Sequence, residues 1–200
     1  MKVLEAEFLT SAARAADVPP HAAPQLALVG RSNVGKSSLI NALTKRRVAR
    51  TSAQPGKTRL VNLYRVVLAA WPAEARRAKA ATIYLADLPG YGYAKGAHDF
   101  AELTAEYFGA AHPAAVMLVV DARHPGLRAD LDAWAWIGTL GSPAAVVATK
   151  IDKLGRAELT RALGQIEREC QCAVTAVSAE TGAGMDDLWK RIATLITPSP

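Results

Sequence analysis

At 200 residues, half of them hydrophobic and 21% charged, the chain is long enough for one domain with a full core and short for two. Lysine and arginine number 24 against 18 acids, a formal charge of +6, which points to an acidic partner, nucleic acid foremost. No apolar run is long enough to cross a bilayer, Glu5, Glu7 and Arg14 interrupt any signal-peptide core, and Cys170 and Cys172 stand too close for a strain-free disulfide, so a reduced, cytoplasmic protein is expected.

Residues 1–22 read as a short extension, with Phe8-Leu9 able to pack at an edge, ahead of a domain at 23–197. Leu26–Val29 is a short apolar run suited to a buried strand. It breaks into Gly30-Arg31-Ser32-Asn33-Val34-Gly35-Lys36-Ser37 and then into a helical pattern through Leu43. Lys45–Arg59 lacks apolar periodicity and is a loop long enough to be functional. Leu60–Ala69 and Ala81–Ala86 are strands joined too closely for a crossover, hence antiparallel, with Trp71–Ala80 between them as a polar tip or helical turn. Helices at Phe100–Phe108, Leu127–Leu140, Arg156–Cys170 and Met185–Ile196 then alternate with strands at Ala115–Val120, Ala144–Ala148 and Ala173–Val177. The pattern is α/β: six strands, mostly parallel with one antiparallel, and helices on both faces.

Strand, G-x-x-x-x-G-K-S and helix in succession make a phosphate-binding loop. Its glycines let successive N–H groups converge on a phosphate chain, and the helix N-terminus adds its dipole. Lys36 would reach the outer phosphates and the Ser37 hydroxyl would join a Mg²⁺ shell. Asp87-Leu88-Pro89-Gly90 closes a strand with a carboxylate able to hold Mg²⁺ through water, and the Gly90 N–H could sense a γ-phosphate. Thr149-Lys150-Ile151-Asp152 follows another strand. The Asp152 carboxylate accepts from guanine N1–H and its 2-amino group, a pairing adenine cannot offer, while the Lys150 stem covers the base. Val177-Ser178-Ala179 could turn backbone N–H groups to guanine O6. Thr51, Ser52 and Thr58 are candidates to complete the Mg²⁺ shell, Thr58 the best because Pro55-Gly56 can present it.

Gly30–Asn41, Ala49-Arg50-Thr51-Ser52, Pro55-Gly56-Lys57-Thr58, Asp87–Ala94 and Asp121-Ala122-Arg123-His124-Pro125 together resemble the EngB (YihA/YsxC) family of bacterial GTP-binding proteins, from about Phe8 to the last helix. The resemblance implies a three-layer P-loop GTPase fold and a part in large ribosomal subunit assembly and normal septation. It implies that Gly30–Ser37, Gly56, Lys57, Thr58, Arg59, Leu60, Asp87–Gly90, Thr149–Asp152 and Val177–Ala179 line GTP or GDP, with Ser37 and Thr58 on Mg²⁺. Lys36, Thr58 and Gly90 are then the residues closest to the chemistry. The Trp71–Ala80 tip is longer than the family's usual turn.

Many related enzymes orient the attacking water with a glutamine after D-x-x-G. Tyr91 stands there, so intrinsic turnover should be slow. Asn33 resembles the asparagine that binds K⁺ in related GTPases, and either that role or a loop-fixing one suits it; loop fixing is also expected of Arg123 and His124. Lys45, Arg46, Arg47, Arg50, Lys57 and Arg59 form a basic arm that could meet rRNA of a large-subunit precursor. Competing readings are an interaction module at the septum with incidental hydrolysis, and an ATP-using kinase disfavoured by Asp152. A monomer is expected.

Overall fold

The computed structural model describes residues 1–14, 17–19, 23–51, 60–69, 80–91 and 97–197, with the side chains of 97–103 excepted. Seven strands make one sheet in the order β1-β3-β4-β2-β5-β6-β7. They are β1 Val3–Ala12, β2 Gln25–Gly30, β3 Val61–Leu68, β4 Ala81–Asp87, β5 Ala115–Asp121, β6 Ala144–Thr149 and β7 Val174–Ala176. The helices are α1 Lys36–Thr44, α2 Ala97–Ala111, α3 Arg128–Gly138, α4 Arg156–Cys170 and α5 Met185–Ile196.

The expected six strands become seven. The additional one, β1, comes from the N-terminal extension and pairs antiparallel with β3 along the sheet edge. Since β3 also pairs antiparallel with β4, it alone among the described strands runs against the others. The remaining ladders, β2 with β4 and β5, β5 with β6, and β6 with β7, are parallel.

Side chains alternate across the strands and divide the core in two. Leu26, Leu28, Met117 and Val119 face Leu39, Ile40 and Leu43 of α1 and Leu188, Trp189 and Ile192 of α5. Ala27, Val29, Leu118 and Val120 face Tyr107 and Phe108 of α2, Ile137 of α3 and Ile166 of α4. Burial on both faces explains why Leu26–Val29 of β2 and Ala115–Val120 of β5 are unbroken apolar runs rather than alternating. Two tryptophans serve this packing and the backbone as well: Trp189 Nε1 donates to Leu43 O at 3.2 Å, and Trp134 Nε1 to Cys170 O at 2.9 Å.

Because β2, β4, β5, β6 and β7 are parallel, their C-terminal ends share one sheet edge. Gly30, Asp87, Asp121, Thr149 and the turn after Ala176 all lie there, where ligands of such sheets sit. The antiparallel β3 brings its starting end to the same edge, Asn62 beside Asp87.

Candidate functional site

The Gly30–Ser37 loop runs from β2 into α1. Asn33 and Gly35 take positive φ, 62° and 107°, the second a conformation that excludes other side chains, and Gly35 caps α1. The Lys36 ammonium is drawn back across the loop, donating to Gly30 O at 2.9 Å and to Arg31 O at 3.3 Å. The Ser37 hydroxyl donates to Asp87 Oδ2 at 2.7 Å, so the loop's hydroxyl and the D-x-x-G carboxylate meet. Asp87 is 1% exposed, and its other oxygen, Oδ1, has no hydrogen-bond partner among the described residues. Burial pushes Asp87 above the usual carboxylate range, against the pull of Lys36 and the Ser37 bond. It likewise lowers Lys36, against the pull of Asp87. An orphaned buried carboxylate oxygen beside a hydroxyl is the hard-oxygen pairing that suits Mg²⁺. Leu88 N donates to Leu28 O at 3.2 Å, which locks the D-x-x-G segment to β2.

On the far side of the loop, Thr149 Oγ1 donates to Val34 O at 2.7 Å and lies 3.0 Å from Val120 O, tying the end of β6 to the phosphate loop. Lys150, in the left-handed region at φ 61°, extends along the loop. Its Nζ donates to Asn33 O at 2.7 Å and to Asp121 Oδ2 at 2.9 Å. Ile151 opens a single 3₁₀ turn, Ile151–Lys153, in which Asp152 accepts from Ser178 Oγ at 2.6 Å and pairs with Lys153 at 3.0 Å. The Ser178 bond first, and Lys153 second, hold Asp152 below its ordinary range, so it is an acceptor at neutral pH. The expectation for 177–179 narrows. The N–H of Val177 bonds Ala148 O and that of Ser178 bonds Ala183 O, so Ala179 carries the remaining amide of the three.

Of the expected residues, Gly30–Ser37, Asp87–Gly90, Thr149–Asp152 and Val177–Ala179 thus converge at one edge of the sheet, with Leu60 exposed just before β3. Gly56, Lys57, Thr58 and Arg59, Ser52 and the tip at 71–79 lie outside the described residues. Thr51 is exposed.

Two further carboxylates belong to this edge. Asp121 closes β5. It receives Lys150 together with Arg123, whose Nε and Nη2 bond Oδ1 and Oδ2 at 3.0 and 2.8 Å. Burial would raise Asp121, but the bonds from Arg123 and Lys150 outweigh it and hold the carboxyl well below its usual range. The loop-fixing reading of Arg123 agrees with this geometry. Asp130 binds Arg31 and Tyr91. The sequence marks Asp121 as the acid that ends the apolar run Ala115–Val120 and as the first residue of the Asp121–Pro125 motif; Asp130 carries no such signal.

A family profile described as "50S ribosome-binding GTPase" matches residues 25–150. A probable GTP-binding protein EngB of Anaeromyxobacter sp. strain K is 41% identical over 209 residues, covering 100% of this chain and 95% of the relative. The chain belongs to the EngB family of GTP-binding proteins. Its activity is that of a GTPase. The EngB of Pelotomaculum thermopropionicum is 39% identical over 198 residues, covering 94% of this chain and 93% of the relative. Among solved structures, Era in complex with MgGDPNP and nucleotides 1506–1542 of 16S ribosomal RNA superposes with a TM-score of 0.72 and 28% identity. The match covers 89% of this EngB-family chain and 58% of the Era chain. Aquifex aeolicus Era bound to GDP·AlF4⁻ superposes at 0.71 with 27% identity, over 88% of this chain and 57% of that one. The chain therefore spans a little over half the length of these Era chains. Among the described residues no helix is long and apolar enough to cross a membrane.

Proposed function

We propose that this EngB-family protein is a slow, Mg²⁺-dependent GTPase that works in the cytoplasm as a nucleotide-gated switch in large ribosomal subunit assembly, on which normal septation depends. One observation carries the reading. Lys45, Arg46, Arg47 and Arg50 form an exposed basic run at the C-terminal end of α1, the helix whose N-terminus is the phosphate loop. Cations rooted one helix away from a phosphate site suit a surface whose grip on RNA answers to the nucleotide. The family description as a ribosome-binding GTPase and the rRNA in the Era complex support the same reading.

In this scheme Lys36 leaves the carbonyls of Gly30 and Arg31 for the outer phosphates, and the loop amides up to Ser37 cradle the rest. Ser37, with Asp87 through water and Thr58, would hold Mg²⁺, which when bound neutralises charge on the phosphate oxygens. Asp152 accepts the guanine N1–H and 2-amino group, Lys150 lies along the base plane, and the Ala179 N–H meets O6. Gly56–Leu60 complete the nucleotide's surroundings, and the Gly90 N–H reads the third phosphate. Tyr91 stands where relatives orient water with an amide, and its hydroxyl is already committed to Asp130, which favours slow turnover. A K⁺ ion at Asn33 would supply the missing positive charge.

Sedimentation with large-subunit precursors tests the proposal. Pelleting with a non-hydrolysable GTP analogue but not with GDP, weakening as salt rises, is the expected result. Equal pelleting in all nucleotide states, or enrichment at the septum with intact ribosome assembly on depletion, would overturn it.

A further inference from the structure

Asp130 stands outside the motifs expected to bind phosphate or base, yet three elements meet on it. It sits in the first turn of α3 with its side chain 6% exposed. A single oxygen, Oδ1, accepts from Arg31 Nε at 2.9 Å and from the Tyr91 hydroxyl at 2.8 Å. Arg31 is the second residue of the phosphate loop, and Tyr91 directly follows Gly90. The backbone joins the same two segments: Arg31 and Tyr91 form a parallel β-bridge, and Ser32 N donates to Tyr91 O at 3.4 Å. Gly90 is thereby pressed onto the loop. A Cβ placed on it would lie 2.5 Å from Ser32 N and 2.6 Å from Ser32 Oγ. Burial, reinforced by Asp130, holds the Tyr91 hydroxyl far above the ordinary phenol range, so it stays a donor at every working pH.

This closeness has a chemical consequence. Gly90 lies directly against Ser32, so a third phosphate that enters between the Gly90 N–H and the loop would part them. We propose that Asp130 is a positioning residue that sets the preference between guanosine di- and triphosphate: by gripping Tyr91 it keeps Gly90 down on Ser32, an arrangement that takes the diphosphate and must open for the triphosphate. The proposal rests on the reading of Gly90 as the γ-phosphate sensor. A ligand shifts two arrangements only by its differential affinity for them. If the triphosphate binds the open arrangement alone, its apparent affinity falls in proportion to the open fraction, while a diphosphate that accepts both is unaffected.

Tyr91→Phe removes the grip and leaves the Arg31–Asp130 pair in place. Titration with fluorescent GDP and a fluorescent non-hydrolysable GTP analogue should show the analogue's Kd lowered about tenfold, the scale of one hydrogen bond to a charged group, with the GDP value within about twofold. Asp130→Ala should move the ratio of the two Kd values in the same direction. The double variant should move it no further than the larger single change, because both substitutions remove the same bond. A bond that only stabilises the fold would lower Tm and weaken both nucleotides alike. An unchanged ratio, a ratio moved toward GDP, or additive effects would each overturn the proposal. Wild-type protein that bound neither nucleotide would overturn the site reading and this inference with it.

Discussion

Replacing Asp121 with asparagine preserves the shape at the end of β5 and deletes one charge from a crowded place. The side chain is 5% exposed, and its oxygens receive Lys150 Nζ at 2.9 Å, Arg123 Nη2 at 2.8 Å, Arg123 Nε at 3.0 Å and the Arg123 amide at 3.1 Å. A hydrogen bond to a charged group contributes about 1.5–3 kcal/mol, and removing one member of a buried ion pair costs about 3–5 kcal/mol. The cations here keep 28% and 40% of their side chains exposed, so water recovers part of the loss. We expect Asp121→Asn to lower stability by about 2 kcal/mol at pH 7 after that discount. The pH dependence follows from the direction of the shift. The folded carboxyl titrates below its unfolded value of about 3.9, so its stabilisation is full above that value and declines as pH falls from there. Urea unfolding of both proteins across a series from pH 7 to pH 3 measures both quantities. The gap should be about 2 kcal/mol at neutrality and narrow below about pH 4. Lys150 would keep its bond to Asn33 O but lose its charged anchor, raising the Kd for GDP about tenfold, equivalent to about 1.4 kcal/mol. Equal stabilities at pH 7, or a gap that widens on acidification, would refute the reasoning.

Asp152→Asn should exchange base preference, weakening GTP at least about a hundredfold and admitting xanthosine triphosphate, since the amide presents a donor where guanine also donates. Competition binding with the two triphosphates decides it, and an unchanged preference would count against the base-site assignment. Gly184→Ala should destabilise by about 2–4 kcal/mol, because φ is 76° and the new Cβ would collide with Ala176 O; a thermal melt within a degree of wild type would contradict this. Single-turnover hydrolysis should be faster in K⁺ than in Na⁺ at equal ionic strength, and equal rates would remove the ion from Asn33.

Local chemistry made most of the fold readable. Arg156–Cys170 and Met185–Ile196 have the bounds their apolar spacing predicts, and the strands around the phosphate loop follow from unbroken apolar runs. β1 was harder to read because Leu4, Phe8 and Leu9 are mixed with Glu5 and Glu7, and because its partner β3 lies some fifty residues further along the chain. The same division holds at the site. Residues expected to face phosphate and base sit in contiguous motifs at strand ends, and Asp121 is held largely by Arg123 two residues along, whereas Asp130 takes its role wholly from partners on other elements. Asp130 meets Arg31 across 99 residues, and nothing local to α3 distinguishes it from an acid favouring the helix dipole.

The outermost strand solves a problem of its own. A ten-residue strand at a sheet border, showing Leu4, Phe8 and Leu9 to solvent, offers a template on which another chain could add. Its ladder with β3 is irregular twice, between Val3 and Glu5 and between Phe8 and Thr10. Arg65 gathers Glu5 and Glu7 through bonds of 3.1 and 2.6 Å, which keeps acidic groups along the same short stretch. Interrupted register coils the border strand, and charge along it repels a second copy, so straight edge-to-edge growth is discouraged at every repeat. Arg46 adds a bond of 2.6 Å to Leu4 O, so among the described residues the border strand is shielded by charge, bulges and a side-chain donor together.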